Sequence, residues 1–141
     1  MKAYLTNTIE NKTVLVTVPG SKSESNRLLI LKKIYPNISL HNLSNCDDTL
    51  ALSRGIETKN GIVDVHHAGT AMRFLTSFFA SKKDVELTLT GSKRMQERPI
   101  KILVDTLRVI GADISYVKNN GYPPLKINGK ELVLDSLSID A

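Results

Sequence analysis

The sequence predicts an α/β fold (α+β in the wider sense) built from two degenerate copies of one unit, and three observations indicate it. Short β-branched and apolar runs alternate with amphipathic helical patterns along all 141 residues. A glycine-led start of a helix, with hydroxyl neighbours and an arginine about one turn in, occurs twice. Arg27 and Arg73 align at an offset of 46 residues, and Ile38 and Val85 at an offset of 47. These offsets suit a structural repeat.

The first copy contains strands, a helix, a short strand and a second helix. The predicted ranges are strands at 2–6 and 13–18, a helix at 23–34, a strand at 38–40 and a helix at about 47–57. Pro36 ends the first helix because proline disfavours helical geometry in the residue before it. The pattern Ser44 to Asp47 is typical of a capping box, and Leu50 and Ala51 are predicted to face inward.

The second copy repeats this order and adds a hairpin. The predicted ranges are strands at 62–65 and 85–89, helices at 69–80 and 99–110, a strand at 112–117, a tight turn at 119–121, and a hairpin of 125–128 with 131–134 turned at 129–130. Pro99 is favoured at the first helical position, and Gly111 is a suitable C-terminal cap. One face of the last helix carries its apolar residues, namely Ile100, Leu103, Val104, Leu107 and Ile110.

Composition excludes several function classes. The net charge of +5 favours anionic partners, but an aromatic content of 5% without tryptophan supplies few stacking groups for nucleic acid. No apolar run approaches the roughly 20 residues that span a bilayer. Cys46 is the single cysteine, so an internal disulfide is excluded and a reducing cytoplasm is expected. The histidines (His41, His66 and His67) lack metal-ligand spacing, so surface or packing roles are expected.

The first candidate anion site is the strand-to-helix junction from Pro19 to Arg27. Gly20 lets the backbone approach a ligand, and Ser21 or Ser23 can cap the helix, whose first N–H groups attract anions. Lys22 adds a point charge and Arg27 a planar fork for oxyanions. The simpler alternative is that this serine-rich turn only caps a helix.

Two further segments are candidates for binding anions. Gly69 and Thr70 stand at the second helix start, where the alternative is that Gly69 permits the turn and Thr70 caps the helix. Arg98 directly precedes Pro99, at the mouth of the last helix, whereas most such charge runs are solvated loops. Cys46 is expected to be structural, and the Asp47–Asp48 pair to cap the second helix. We expect the glycine-led starts, Lys22, Arg27 and Arg98 to converge on one pocket for small anions.

Three motifs together resemble one family, 3-phosphoshikimate 1-carboxyvinyltransferase (EPSP synthase), in the order in which that family carries them. They are residues 19–27, the run Gly-Thr-Ala-Met-Arg within 68–73, and the run from Leu89-Thr-Gly through Glu97-Arg98-Pro99-Ile100; the segments 47–49 and 103–108 are also similar. The resemblance implies repeated βαβαββ units of an inside-out α/β barrel, about two of them present.

The resemblance also implies an activity: transfer of the enolpyruvyl group from phosphoenolpyruvate to the 5-hydroxyl of shikimate 3-phosphate, without metal or cofactor. On that template Ser23 and Arg27 bind shikimate 3-phosphate, and Lys22 lies between the two substrates. Gly69 and Arg98 hold phosphoenolpyruvate. Thr70 and Arg73 shape the same pocket. A cytoplasmic enzyme, monomeric at full length and targeted by glyphosate, is expected, with neither nucleic acid nor membrane as partner.

The chain departs from the family pattern in two residues and in length. Phe74 replaces a usual proline and His67 a usual asparagine. Because family members are much longer, the chain is expected to be an N-terminal portion. Residues 1–18 would belong to a second domain and 19–141 to a partial first domain, with the general acid and base outside the chain and no turnover alone. The alternatives are a fragment of the related UDP-N-acetylglucosamine enolpyruvyl transferase and a non-catalytic, basic nucleic-acid-binding module.

Overall fold

A complete βαβαββ unit, preceded by two helices, forms the described part of the chain, residues 15–133 of a computed structural model. The elements in order are α1 (Lys22–Ile34), α2 (Asp47–Gly55), β1 (Asn60–Asp64), α3 (Gly69–Ala80), β2 (Glu86–Thr90), α4 (Lys101–Val109), β3 (Asp113–Tyr116) and β4 (Leu125–Asn128). The predicted α/β fold class is therefore confirmed. The second copy is complete, whereas the first is represented in the described residues by α1, α2 and β1, the last shared with the second unit.

The four strands form one mixed sheet in the order β1-β2-β4-β3. Strands β1 and β2 are parallel and joined through α3, as a parallel crossover requires. Strand β4 lies between β2 and β3 and is antiparallel to both, with Ile127 opposite Leu87 on one side and Ile114 on the other. This central place explains why Leu125 and Ile127 are fully buried.

The core lies between the sheet and the helices packed on it. Helix α3 is apolar on most of its surface, and Leu75 and Phe79 at its centre are fully buried. Helix α4 buries Val104 and Leu107 as its periodicity predicts. In α2 the prediction that Leu50 faces inward is wrong, because Leu50 is 47% exposed while Ala51 and Leu52 are buried. The buried face of α2 is therefore shifted by one residue.

Three predicted strands are not formed where the structure describes them. Residues 15–18 and 38–40 have no strand geometry, and β4 does not pair with 131–133. Instead the Gly129 N–H donates to the Val85 carbonyl and the Lys130 N–H to the Ala80 carbonyl, which ties this segment to the end of α3. The remaining predicted residues of these strands, and the strand at 2–6, lie outside the described residues.

Helix ends follow the predicted chemistry at the start of α1 and the end of α4, but not at the starts of α2 and α4. The prediction that Pro99 is the first helical residue is wrong, because Ile100 is the N-cap and α4 begins at Lys101. Ser21 is the N-cap of α1, and its hydroxyl accepts a hydrogen bond from the Glu24 N–H at 3.5 Å. Gly111 follows α4 with a φ of +97°, which glycine adopts without strain. The predicted capping box of α2 is wrong, because Cys46 is its N-cap and no side chain caps it. Among the helices described, none combines the length and the apolar character needed to cross a bilayer.

Candidate functional site

The start of α1 is fixed against the loop before α2. A Cβ atom on Gly20 would lie 2.0 Å from the Asn42 carbonyl oxygen, so only glycine allows this close approach. One turn later, the Ser25 hydroxyl accepts a hydrogen bond from the Ser44 N–H at 2.8 Å, in a buried position. These two contacts fix the first turn of α1, and with it the Cα of Lys22, relative to α2.

Lys22 reaches across to α2 and pairs with Asp48. Its Nζ lies 2.8 Å from Asp48 Oδ1, with the lysine side chain 51% and the aspartate side chain 22% exposed. The hydrogen bond to Asp48, reinforced by the charge of its carboxylate, raises the pKa of Lys22 above its ordinary value. Lys22 is therefore a cation at neutral pH, held in place by Asp48.

The start of α3 carries the second cluster of groups. Gly69 is the first residue of α3, and no side chain caps this helix, so the alternative in which Thr70 caps it is wrong. The Arg98 guanidinium lies against Gly69, since a Cβ built there would be 2.6 Å from Arg98 Nη1. Arg73, one turn into α3, donates from Nη2 to the Pro99 carbonyl at 3.2 Å. The α3 start is thus joined to the turn that precedes α4.

Lys22, Gly69 and Arg98 meet in one cavity of about 380 Å³. Its lining residues are Lys22, Asp48, His67, Gly69, Thr70, Arg73, Phe74 and Arg98. Three of these side chains are cationic and one is anionic, and the N-terminus of α3 adds partial positive charge. The electrostatics of this cavity favour a small ligand that carries more than one negative charge.

The structure does not bring Ser23 and Arg27 into this cavity. Arg27 lines an apolar groove of about 570 Å³ between α1 and α3, and its Nη1 donates to the Ser23 carbonyl at 3.2 Å. Ser23 is exposed and lines neither space. Phe74 lines both, so it separates the groove from the cavity. Of the five predicted binding residues, three converge and two lie outside.

His67 and Asp48 are members of the cavity that the sequence did not single out as binding residues. His67 lines the cavity and its Nδ1 lies 2.8 Å from Ser92 Oγ, which joins the α3 start to the turn after β2. The one signal in the sequence was the position of His67, directly before Ala68 and Gly69. Among the described residues no group of side chains is arranged to hold a metal ion.

Cys46 forms hydrogen bonds with Ser44 and Thr49 at the start of α2. Its Sγ lies 3.3 Å from Thr49 Oγ1, and its N–H donates to Ser44 Oγ at 3.3 Å. Burial raises the pKa of the Cys46 thiol, but hydrogen bonds involving Ser44, Thr49 and the Asp48 backbone outweigh burial and lower it overall. Cys46, Asp48 and Lys22 also line a neighbouring cavity.

Comparison with known proteins decides the family. The sequence profile described as EPSP synthase (3-phosphoshikimate 1-carboxyvinyltransferase) matches residues 42–141, which is most of the chain. The chain belongs to the EPSP synthase family. The EPSP synthase profile covers α2 to β4 and includes Gly69 and Arg98, so the residues of the cavity other than Lys22 fall within the match.

Individual members of the EPSP synthase family are also similar to this chain. A 3-phosphoshikimate 1-carboxyvinyltransferase from Bacteroides fragilis strain YCH46 is 43% identical over 137 residues, covering 96% of this chain and 33% of the relative. One from Shewanella amazonensis is 39% identical, covering 89% and 36%. The chain thus spans about a third of the length of these relatives. An EPSP synthase structure from Acinetobacter baumannii, 23% identical, matches 82% of this chain and 32% of that chain with a TM-score of 0.66, which supports the same fold.

Replacing Asp48 by asparagine should strengthen anion binding in the cavity. The substitution keeps the shape of the side chain but removes the Asp48 carboxylate, which competes with a bound anion for Lys22. This ion pair is partly exposed and so is worth little to folding, and we expect a roughly three-fold lower dissociation constant for sulfate with little loss of stability. Isothermal titration calorimetry measures the affinity.

Glu57→Gln is the matched control for Asp48→Asn. Glu57, two residues after the end of α2, pairs with Lys33 on α1 at 2.5 Å and lies outside the cavity. The control removes one negative charge and one ion pair without touching the site. Weaker sulfate binding in Asp48→Asn than in Glu57→Gln would show instead that Asp48 is needed to position Lys22.

Proposed function

We propose that this chain forms part of the substrate site of a 3-phosphoshikimate 1-carboxyvinyltransferase. That enzyme moves the enolpyruvyl group of phosphoenolpyruvate to the 5-hydroxyl of shikimate 3-phosphate and releases phosphate. The observation that carries the proposal is the convergence of Lys22, the Gly69 helix start and Arg98 on one cavity. The family membership supports it, because the relatives of known name are such enzymes.

Each residue of the cavity has a proposed role. Gly69 and Arg98 hold phosphoenolpyruvate, because unpaired N–H groups and a planar guanidinium suit phosphate and carboxylate oxygens. Lys22, on α1, lies between the two substrates. Ser23 and Arg27, in the first two turns of α1, bind the phosphate of shikimate 3-phosphate outside this cavity. Both substrates are multiply anionic and repel each other, so the cations offset that repulsion and keep the reacting atoms close.

The general acid and base are proposed to lie outside this chain. Within residues 15–133, Asp48 is the one carboxylate that lines the cavity, and its hydrogen bond and charge are engaged with Lys22. The relatives are about three times as long as the chain, which supports a site completed by further residues. We also propose that residues 19–141 form part of one domain and that residues 1–18 belong with a second.

Titration of the chain with shikimate 3-phosphate and with plain shikimate tests this function. Ligand-observed NMR should detect shikimate 3-phosphate binding at least about ten-fold more tightly, because charge-assisted bonds to a phosphate are worth roughly 1.5–3 kcal/mol. Equal affinity for the two ligands would overturn the proposal. Salt-dependent binding of generic duplex DNA without any binding of shikimate 3-phosphate would favour the basic nucleic-acid module instead.

A turnover assay separates binding from catalysis. The isolated chain, given both substrates, should release no phosphate above the rate of a heat-denatured sample, since the proposed acid and base are lacking. Phosphate release at a rate comparable to a full-length family member would contradict the assignment of a partial site. Binding without turnover is the expected pair of results.

A further inference from the structure

A second basic cavity adjoins the cavity at the start of α3. This arginine cavity has a volume of about 490 Å³ and is lined by His67, Arg94, Met95 and Arg98. Arg98 also lines the cavity that contains Gly69, here called the Gly69 cavity, whereas Arg94 does not. Among residues 15–133, no carboxylate lines the arginine cavity, so its electrostatics favour an anion.

Hydrogen bonds and burial fix the turn that carries both arginines. The Gln96 N–H donates to the Ser92 carbonyl at 3.0 Å. The Arg98 N–H donates to the Met95 carbonyl at 3.1 Å. Met95 lies between the two arginines in sequence and is 2% exposed, so it anchors the turn in the core. The backbone positions of Arg94 and Arg98 are therefore set before a ligand binds, which lowers the cost of binding.

No neighbouring acidic side chain neutralises these two arginines. In the part of the chain that the structure describes, neither Arg94 nor Arg98 takes part in an ion pair. Glu97, the one acidic residue of the turn 92–98, is exposed and does not line the arginine cavity. Each planar guanidinium has five N–H donors that match phosphate oxygens, and two of them can share one tetrahedral oxyanion.

We propose that the arginine cavity is a second anion site, which takes orthophosphate through Arg94 and Arg98. The inference rests on the proposed function, because orthophosphate is what the enolpyruvyl transfer releases from phosphoenolpyruvate held at Arg98. Since Arg98 lines both cavities, the released phosphate can move toward Arg94 without leaving the Arg98 guanidinium. This movement clears the Gly69 cavity for the next phosphoenolpyruvate.

Titration with orthophosphate at increasing concentrations of phosphoenolpyruvate distinguishes two anion sites from one. Phosphorus NMR resolves the two ligands, and the titration uses the whole chain. With two sites, the apparent dissociation constant for orthophosphate should rise by no more than about ten-fold and then level off, because the bound anions repel but do not exclude each other. With one shared site, it would rise in proportion to phosphoenolpyruvate without limit.

Substitutions of Arg94 test which side chain makes the second site. With phosphoenolpyruvate at saturation, Arg94→Ala should weaken orthophosphate binding about ten-fold, because a charge-assisted hydrogen-bonding partner is lost. Phosphoenolpyruvate binding should change by no more than about two-fold, since Arg94 does not line the Gly69 cavity. Arg94→Lys keeps the charge without the planar fork, so it should restore only part of the orthophosphate affinity.

Lys93→Ala is the matched control for Arg94→Ala. Lys93 precedes Arg94 in the same turn, is exposed and lines neither cavity. Its removal takes away one positive charge, so orthophosphate binding should stay within about two-fold of the parent chain. Thermal unfolding should give the same midpoint for both variants, because both side chains are exposed.

The results separate this inference from the proposed function. A rise without limit, no orthophosphate binding at saturating phosphoenolpyruvate, or equal effects of Arg94→Ala and Lys93→Ala overturns the second site and leaves the proposed function standing. An equal loss of both ligands in Arg94→Ala would assign Arg94 to the Gly69 cavity and overturn it too. Orthophosphate binding through Arg94 without any binding of phosphoenolpyruvate overturns the proposed function, and with it the role in product release.

Discussion

Replacing Gly129 by alanine should lower the free energy of unfolding by about 3 kcal/mol, at the upper end of what forced overpacking costs. A Cβ at this position would lie 1.9 Å from the Lys82 carbonyl oxygen and 2.5 Å from that of Phe79. Both contacts are with backbone, so no side chain can rotate away. The Gly129 N–H also donates to the Val85 carbonyl at 2.8 Å, which fixes the segment where the clash occurs.

Gly111→Ala is the control that measures the stability cost of replacing a glycine without a steric clash. Gly111 has a φ of +97°, but a Cβ added to it would meet no atom within 4 Å. Only backbone strain is added there, of about 1–2 kcal/mol. Urea unfolding followed by far-UV circular dichroism should therefore show a clearly larger loss for Gly129→Ala. Equal losses would mean that the end of α3 moves away from Gly129 at little cost.

The helices were predictable because local chemistry specifies them. Serine at the start of α1 and Gly111 after α4 both satisfy backbone groups within a few residues, so the sequence alone reveals them. The strands predicted at 38–40 and 131–134 are not formed in their described residues, since a three- or four-residue alternation does not say which strand lies beside it. Strand β4 pairs with β2 and β3 because Leu125 and Ile127 fill the middle of the sheet.

Helix geometry explains why only some of the predicted binding residues lie in the cavity. Gly69 and Arg73 are four residues apart, so they lie within about 40° of each other around α3 and share a cavity. Lys22 and Arg27 are five residues apart, about 140° around α1, so they face different spaces. The two glycine-led helix starts therefore look alike in sequence while presenting their arginines differently. His67 was missed because its role depends on Ser92, 25 residues away.

Arg98→Ala should weaken binding of phosphoenolpyruvate to the chain by about 10- to 150-fold. The guanidinium lies against the α3 start, and Arg98 and Gly69 line the same cavity. Losing a charge-assisted hydrogen-bonding partner costs roughly 1.5–3 kcal/mol, which corresponds to that range. Folding should be nearly unchanged because Arg98 is exposed. Titration by NMR measures the affinity, and thermal unfolding checks the fold.

Two further variants determine whether position or charge is responsible. Lys93→Ala removes one positive charge from the same turn, but Lys93 is exposed and does not line the cavity, so its effect should stay within about two-fold. Gly69→Ala keeps every charge but places a methyl group where Arg98 Nη1 lies, so the guanidinium must move. Because a flexible side chain yields readily, Gly69→Ala should fold normally and still lose affinity. Full affinity in Gly69→Ala, or equal losses in Arg98→Ala and Lys93→Ala, would show that general charge rather than the placed guanidinium attracts the ligand.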